Sequence, residues 1–208
     1  KLGYTNTYYH MEPRLDITAA PEHWIGKQRF LISSDVFEHI PDIESTVSEI
    51  ARVLRPGGRF ACTVVGDHFN ELLTDERAWA RLGLAGAHRA YIDWFNRKSV
   101  HYRWDSPDTW RRRFEKVGFR VESWRYYLSP AAARAFHRAH YVSLPHLVAR
   151  RLTGRWVPIP SLFDRPFWIR RYLPFVDEPP PDRGSCIAFV CSLARTVRGH
   201  PAETNKVE

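Results

Sequence analysis

One stretch near the start of the chain, residues 31–65, constrains the fold more than any other. It reads LISSDVFEHIPDIESTVSEIARVLRPGGRFACTVV, and its first apolar run ends abruptly at Ser33, Ser34 and Asp35. A segment with apolar residues at helical spacing follows, and then a second apolar run. Strand, helix and strand at this length form a βαβ unit, whose two strands are parallel. The sequence therefore predicts an α/β fold with a mostly parallel sheet.

The helix within this unit has a start and a stop signal. Asp42 precedes the first apolar position and is typical of an N-cap, because its carboxylate accepts from a free backbone N–H. Residues 55–58, RPGG, end the helix, since glycine adopts positive φ and proline cannot continue the hydrogen-bond ladder. The run 59–65, RFACTVV, is predicted to be a buried strand.

The rest of the chain is divided by similar signals. A short strand is predicted at 14–18, RLDIT, and mostly helix over 71–96. Beyond them the pattern predicts a helix capped by Ser106 (106–119) and then a strand (120–128). An insertion follows at residues 130–183 and contains two predicted helices, 130–142 and 144–153. A final buried strand is predicted at 185–195. We expect one domain over residues 1–197 and a disordered tail at 198–208.

Composition excludes several classes of protein. The chain has 208 residues, of which 44% are hydrophobic, so it can bury a real core and is not globally disordered. Its three cysteines form no CxxC pair, and no apolar run approaches the roughly 20 residues that span a bilayer. These features favour a cytoplasmic location, with peripheral membrane contact as an alternative.

Charge is distributed unevenly along the chain. Residues 1–96 hold 10 Lys and Arg against 13 Asp and Glu, whereas residues 97–198 hold 20 against 8. The basic half also contains most of the tryptophans, so it suits an anionic partner. The alternative interpretation is that these arginines merely solvate exposed helix faces.

Polar residues follow the first apolar run at the position where ligands bind in open α/β sheets, outside the carboxyl ends of the strands. Ser33, Ser34, Asp35, Glu38 and His39 lie there. The sequence predicts a site at this edge. The alternative is that Ser34 or Asp35 only caps the following turn.

DVFEHIPD, an amphipathic helix and then ARVLRPGGRFACTV together resemble the central part of class I S-adenosylmethionine-dependent methyltransferases, in particular the type 11, ubiquinone-biosynthesis-like branch. The close resemblance covers residues 14–66, and the layout of elements is similar to about residue 196. It implies a Rossmann-like α/β sheet with flanking helices and a helical insertion before the last strand. It also implies S-adenosyl-L-methionine as the cofactor and methyl transfer as the reaction.

The resemblance also implies roles for individual residues. Asp16 resembles the acidic residue that accepts from the adenine amino group, and the Ile17 N–H would face the ring. Ser33, Ser34 and Asp35 resemble the wall beside the methionine part of the cofactor. The alternative for Asp16 is a turn-forming residue.

His39 resembles the family residue that faces the transferred methyl group. If the acceptor is a hydroxyl, His39 is the candidate base, because an ordinary imidazole titrates near working pH. Methyl transfer is an in-line displacement at the methyl carbon of a sulfonium, whose leaving group is already activated, so alignment is the main requirement. The alternative is that His39 packs and hydrogen-bonds to a loop.

One family motif is absent from the sequence. No Gly-rich turn precedes Asp16, and residues 1–13 are too short for a strand, turn, helix and second strand. We expect that this chain is N-terminally truncated and lacks the first strand and the Gly-rich turn. In the family's strand order, 3-2-1-4-5-7-6, this loss exposes one edge of a central strand, which favours aggregation.

The insertion at 130–183 is predicted to set acceptor specificity, because loops on a fixed scaffold carry function. Its arginines and aromatic residues suit an anionic lipid- or glycan-linked acceptor, a membrane surface, nucleic acid, or a lid packed on the core. His137, His140 and His146 have no nearby Cys or carboxylate, so no metal site is predicted. The predicted function is methyl transfer to an acceptor oxygen; the alternatives are a non-catalytic binding module and an RNA methyltransferase.

Overall fold

The computed structural model describes residues 20–142, 144–154 and 165–194. The predicted cofactor contacts Asp16 and Ile17 lie outside these residues, as do the predicted strand at 14–18 and the predicted tail at 198–208.

The described residues form four strands and eight α-helices. The strands are β1 (Gln28–Ser34), β2 (Leu54–Val65), β3 (Phe119–Tyr127) and β4 (Cys186–Leu193). The helices are α1 (Ile43–Val53), α2 (Phe69–Leu73), α3 (Glu76–Arg81), α4 (Ala85–Ser99), α5 (Pro107–Lys116), α6 (Pro130–Val142), α7 (Leu144–Thr153) and α8 (Arg165–Tyr172). The predicted elements beyond residue 28 are therefore present, with boundaries shifted by a few residues.

The strands form one sheet in the order β1-β2-β4-β3. β1 and β2 are parallel, whereas β4 is antiparallel to both β2 and β3. Three strands consequently share one direction, although two of the three pairings are antiparallel. The Rossmann-like α/β fold with a helical insertion before the last strand is confirmed, and its strand order corresponds to the 4-5-7-6 half of the expected order. The predicted mostly parallel pairing does not hold for the described sheet, because β4 lies antiparallel between β2 and β3.

Helix α1 begins and ends where its sequence signals predict. The Asp42 side chain accepts from the Ser45 N–H, as an N-cap does. The helix buries Ile43, Val47 and Ile50 on one face. After it, Gly57 has a φ of 75°, so residues 55–58 form a bulge in β2 and do not separate it from the helix.

Aromatic side chains from the helices and the sheet make the core beneath the site. Trp110 and Phe114 of α5 are fully buried and pack against each other. Phe37, which follows β1, stacks on Phe60 of β2 and on Trp110. This cluster fixes the turn after β1 to the sheet, because burying each such ring contributes roughly 2–3 kcal/mol.

Strand β1 lies at the edge of the sheet that the described residues form. Two of its apolar side chains are exposed, Phe30 at 51% and Ile32 at 71%. An apolar edge strand can pair with another chain, so β1 has the tendency to aggregate that the missing neighbouring strands predict. In the part of the chain that the structure describes, no helix has the length and hydrophobicity needed to cross a membrane.

Candidate active site at the carboxyl ends of the strands

The candidate site lies where β1, β2 and β3 end, at the same edge of the sheet. Asp35 follows β1, Asp67 lies two residues after β2, and Tyr126 and Tyr127 close β3. Because these three strands run in one direction, their carboxyl ends bring these polar groups to a common edge. Tyr126 donates to Asp67 Oδ1 at 3.0 Å, so residues from separate strands are joined there.

Asp35 is held by hydrogen-bond partners on three strands. Its backbone N–H donates to the carbonyl and to Oγ1 of Thr63 in β2. Its carboxylate accepts from the Tyr127 hydroxyl at 2.9 Å and from Ser34 Oγ at 3.2 Å. Burial raises the pKa of the Tyr127 phenol, so this hydroxyl remains a proton donor in the hydrogen bond.

The backbone of Asp35 has a φ of 49°, in the left-handed region. Asp adopts this region more readily than most residues, although it still costs free energy. The following 3-10 turn, Phe37–His39, has no side-chain cap, so neither Ser34 nor Asp35 has the capping role that the alternative interpretation gave them. The conformation instead directs the Asp35 carboxylate towards Tyr127.

Ser33 has a buried hydroxyl oxygen for which the described residues supply no partner. Buried polar atoms are nearly always hydrogen-bonded, so such an atom at a site edge is suited to a ligand group. Ser33 and Asp35 therefore fit one side of an S-adenosylmethionine site. The other side, the Gly-rich turn that the resemblance requires, has no counterpart in the sequence.

The 3-10 turn after β1 is held by a distant segment, residues 100–103. The Tyr102 N–H donates to the Glu38 carbonyl at 2.7 Å. The Arg103 guanidinium donates to the carbonyls of Phe37, Ile40 and Pro41. These bonds satisfy the carbonyls of a turn too short to satisfy them internally, and they fix Glu38 and His39 in place.

Glu38 is a buried carboxylate, 2% exposed, whose Oε2 has no hydrogen-bond partner among the described residues. Burial raises its pKa to about 7, and the nearby Asp35 charge adds to this effect, while Arg103 and His39 oppose it. The structure thus places an acid with a perturbed pKa directly behind His39, an arrangement common at functional sites.

His39 is partly exposed, and its two ring nitrogens have different surroundings. Nδ1 lies 3.2 Å from the Val100 carbonyl oxygen, which can only accept, so Nδ1 carries the proton. Nε2 lies 3.9 Å from Glu38 Oε1 and keeps its lone pair in the neutral ring. The loop contact of the alternative interpretation is present, but it leaves Nε2 available.

His101 packs beside His39, with ring centroids 5.1 Å apart. Its Nδ1 lies 3.2 Å from Asn96 Oδ1, and the Asn96 amide in turn donates to Asn70 Oδ1 at 2.9 Å. Burial, together with a smaller effect of the neighbouring His39 ring, lowers the pKa of His101 to about 4. His101 is therefore neutral at ordinary pH.

The structure brings four of the predicted site residues, Ser33, Ser34, Asp35 and His39, to one edge of the sheet. Sequence reasoning missed His101 and Tyr127, which are 62 and 92 residues from their partners in the site and follow no local motif. The EH dipeptide after an apolar run was a visible signal for Glu38, although it gave no indication that this carboxylate is buried.

This arrangement supplies three chemical functions. Ser33 and Asp35 can accept or donate hydrogen bonds to a polar cofactor. The neutral His39 ring can accept a proton at Nε2. Glu38 and His101 place a carboxylate and a second imidazole beside that ring.

Solved structures with a similar arrangement share little sequence with the chain. A Galdieria sulphuraria protein described as a sarcosine dimethylglycine methyltransferase matches with 14% identity and a TM-score of 0.49, over 88% of this chain and 58% of its own. A chain from the complex of a Haloferax volcanii methyltransferase activator with a protein described as a methyltransferase matches with 18% identity and a TM-score of 0.44, over 86% and 59%.

A third match is the Haemonchus contortus phosphoethanolamine N-methyltransferase 2 in complex with S-adenosyl-L-methionine, at 14% identity and a TM-score of 0.46, over 82% of this chain and 34% of its own. The chain thus spans three-fifths or less of these structures. None of the curated proteins is matched significantly.

The family assignment follows from the sequence match. The family model described as "Methyltransferase domain" matches residues 11–123, more than half of the chain. The matched range includes β1, α1, β2 and the whole turn that carries Glu38 and His39. The predicted kinship with class I S-adenosylmethionine-dependent methyltransferases is confirmed, and the chain belongs to the methyltransferase-domain family.

Proposed function

We propose that the protein transfers the methyl group of S-adenosylmethionine to an oxygen of a small-molecule or lipid- or glycan-linked acceptor. The observation that carries this proposal is the position of His39. In a chain of the methyltransferase-domain family, it presents an available imidazole nitrogen beside the edge where parallel strands end.

The cofactor would be held on the β1 side by Ser33, Ser34 and Asp35. The Ser33 hydroxyl, which has no partner among the described residues, and the fixed Asp35 carboxylate support this role. By resemblance alone, Asp16 and Ile17 would contact the adenine. The bound cofactor supplies a methyl group on a sulfonium, a leaving group that needs no further activation, so the main task of these residues is to orient it.

His39 would take the proton from the acceptor hydroxyl at Nε2. The Nδ1–H bond to the Val100 carbonyl holds the ring in the required tautomer. The Glu38 carboxylate, 3.9 Å from Nε2, would stabilise the imidazolium that forms. A base of this kind typically contributes 100- to 10,000-fold in rate, on the order of 3–5 kcal/mol.

The helices between β3 and β4 would select the acceptor. Arg150 and Arg151 of α7 and Arg170 and Arg171 of α8 are exposed, and α8 also contains Phe167 and Trp168. Guanidinium groups bind phosphate through paired N–H donors, and neighbouring aromatic rings suit an apolar chain. This composition supports an anionic amphiphile or peripheral membrane contact more directly than a neutral metabolite.

The proposal is tested first by titrating the full-length protein calorimetrically with S-adenosylmethionine. We expect one cofactor per chain. If no heat of cofactor binding is detected, either with or without candidate acceptors, the enzyme hypothesis is defeated and a binding module is favoured. RNA retention that falls steeply with added salt would favour the RNA methyltransferase alternative.

The role of His39 is tested with His39→Asn. We expect cofactor affinity to stay within about twofold and turnover on a hydroxyl acceptor to fall about 100-fold or more. His23→Asn, in the turn before β1, is the matched control and should keep its turnover. Unchanged turnover in His39→Asn would exclude the base.

A further inference from the structure

We propose that Glu38, His39 and His101 form a binding site for a divalent transition-metal ion. Each residue offers one ligand atom, and these atoms all lie within 4.8 Å of one another. The inference depends on this side-chain geometry alone and not on the proposed methyl transfer, so either can hold without the other.

The ligand set matches a known chemical preference. Two imidazole nitrogens and one carboxylate oxygen suit Zn²⁺, Fe²⁺, Co²⁺ or Mn²⁺, whereas Mg²⁺ and Ca²⁺ prefer oxygen ligands alone. Three protein ligands also leave coordination positions open, which is typical of sites that bind a further molecule. The site therefore fits a reactive metal ion better than a structural one.

Glu38 supplies the strongest single indication. Its side chain is 2% exposed, and its Oε2 has no hydrogen-bond partner in the part of the chain that the structure describes. Within that part, no Lys or Arg lies within ion-pair distance of it, and the close contact of its Oε1 is with His39 Nε2 at 3.9 Å. Because a buried, unpaired carboxylate is costly, a bound cation would resolve an otherwise unexplained feature.

The outer groups around the two histidines are those expected around metal ligands. A ligating histidine usually donates its second N–H to a carbonyl or carboxylate, which fixes the ring and its tautomer. Here His39 Nδ1 faces the Val100 carbonyl and His101 Nδ1 faces Asn96 Oδ1, each at 3.2 Å. Asn70 fixes the Asn96 amide, so both rings direct their Nε2 lone pairs away from these bonds.

The backbone around the site is also fixed in advance. Tyr102 and Arg103 bind the turn that carries Glu38 and His39. Val100, which precedes His101, has a φ of 57°, a conformation that β-branched residues rarely adopt. Such strain persists only where the surroundings impose it. Here this conformation places the Val100 carbonyl against His39 Nδ1 and the His101 ring beside the His39 ring.

Small side-chain movements would complete the coordination. Metal bonds of about 2.1 Å require ligand atoms roughly 3–3.5 Å apart. Glu38 Oε1 and His39 Nε2 are already at 3.9 Å, so shifts of about 1 Å suffice. Asp35 adds a negative charge near Glu38, and the guanidinium of Arg103 is occupied by three backbone carbonyls.

A bound cation would change what His39 contributes. Its Nε2 would then be a ligand and not a base, and an acceptor hydroxyl at an open position would lose its proton more readily because of the metal charge. The two roles of His39 are therefore distinguishable, because chelation would abolish turnover if the metal acts and leave it unchanged if the imidazole acts alone.

The direct test is metal binding by the full-length protein after treatment with a chelator. Co²⁺ and Zn²⁺ are titrated calorimetrically, and Co²⁺ binding is also followed by its visible absorption. We expect one ion per chain, with Mg²⁺ binding at least tenfold more weakly. Glu38→Gln, His39→Ala and His101→Ala should each weaken Co²⁺ binding by about 100-fold or more.

His68→Ala is the matched control, because His68 and Glu71 form another histidine–carboxylate pair at 3.6 Å. It should bind Co²⁺ as the unchanged protein does. Circular dichroism and thermal unfolding identify variants that fail to fold. A second readout is the rise in Tm on addition of Zn²⁺, which should be present in His68→Ala and lost in His101→Ala. Co²⁺ binding that is undiminished in the folded variants of the three residues would overturn the proposal.

Discussion

The hydroxyl of Tyr127, at the end of β3, donates a 2.9 Å hydrogen bond to Asp35, which follows β1. These two strands lie at opposite edges of the described sheet, with β2 and β4 between them. The bond therefore crosses the whole carboxyl edge and fixes one wall of the candidate site from its far side.

Replacing Tyr127 by Phe should loosen Asp35 without opening a cavity. We expect S-adenosylmethionine affinity to fall about tenfold, or about 1.4 kcal/mol, because one charge-assisted hydrogen bond is lost. Calorimetric titration measures this change. Tyr126→Phe, which removes the matching bond to Asp67, is the control and should alter affinity less; equal losses would show that the edge is stabilised in general and that Asp35 has no special role.

Replacing Val100 by Gly should stabilise the protein. Val100 has a φ of 57° and is half exposed, so glycine relieves backbone strain while little burial is lost. We expect the free energy of unfolding to rise by about 1 kcal/mol in urea denaturation. Val148→Gly, at an exposed position inside α7, should instead lower it by about 1 kcal/mol. A loss of stability in Val100→Gly would contradict the strain argument.

The buried Glu49 and the exposed Arg52 form an ion pair within α1 that gives a pH-dependent prediction. Arg52 donates to both Glu49 oxygens, at 2.7 and 2.6 Å, and this lowers the pKa of Glu49 from 4.5. Because the folded pKa lies below the unfolded one, the stabilisation is fully present above about pH 4.5 and is lost as the pH falls through the folded pKa.

We therefore expect Glu49→Gln to lower the free energy of unfolding by about 1–3 kcal/mol at pH 7 and by progressively less in acid. Urea unfolding between pH 7 and pH 3 measures the difference. Glu115→Gln, at an exposed position of α5, should show little effect at any pH. A Glu49→Gln deficit that stays constant down to pH 3 would refute the pairing.

The exposed edge strand gives a prediction about self-association. Ile32 is 71% exposed on β1, so Ile32→Lys removes an apolar contact point and leaves the core unchanged. We expect stability within about 0.5 kcal/mol of the unchanged protein and less aggregation by light scattering at high concentration. Leu152→Lys, on the equally exposed face of α7, should reduce aggregation less. Equal effects would mean that general surface hydrophobicity, and not the strand edge, drives association.

Local features of the fold were predictable, because they depend on neighbours in the chain. The Asp42 cap, the apolar face of α1 and the Ser106 cap of α5 all stand where the residues indicated them. The start of β2 was not predictable. The strand was expected to begin at residue 59, but the pairing of Gln28 with Leu54 places its start at Leu54, before the bulge at 55–58. Tertiary pairing here overrides the local turn signal.

The candidate site was predictable only in part, for the same physical reason. Ser33, Asp35 and His39 follow one strand, so a single segment indicated them. His101 reaches the site because the residues after α4 fold back over the turn and bond to it, and no periodicity in the sequence encodes that contact. The chemistry of Glu38 likewise depends on burial by residues far along the chain.

The position of β4 between β2 and β3 has a consequence for synthesis. The last of the described strands is an inner one, and within the described residues β3 has no other strand partner. Until Leu193 emerges from the ribosome, β2 and β3 each lack their β4 partner in the sheet that the described residues form, so this sheet closes only after β4 has been synthesised. A premature stop before Cys186 would therefore give a chain that chaperones retain and proteases degrade, and not a smaller working domain.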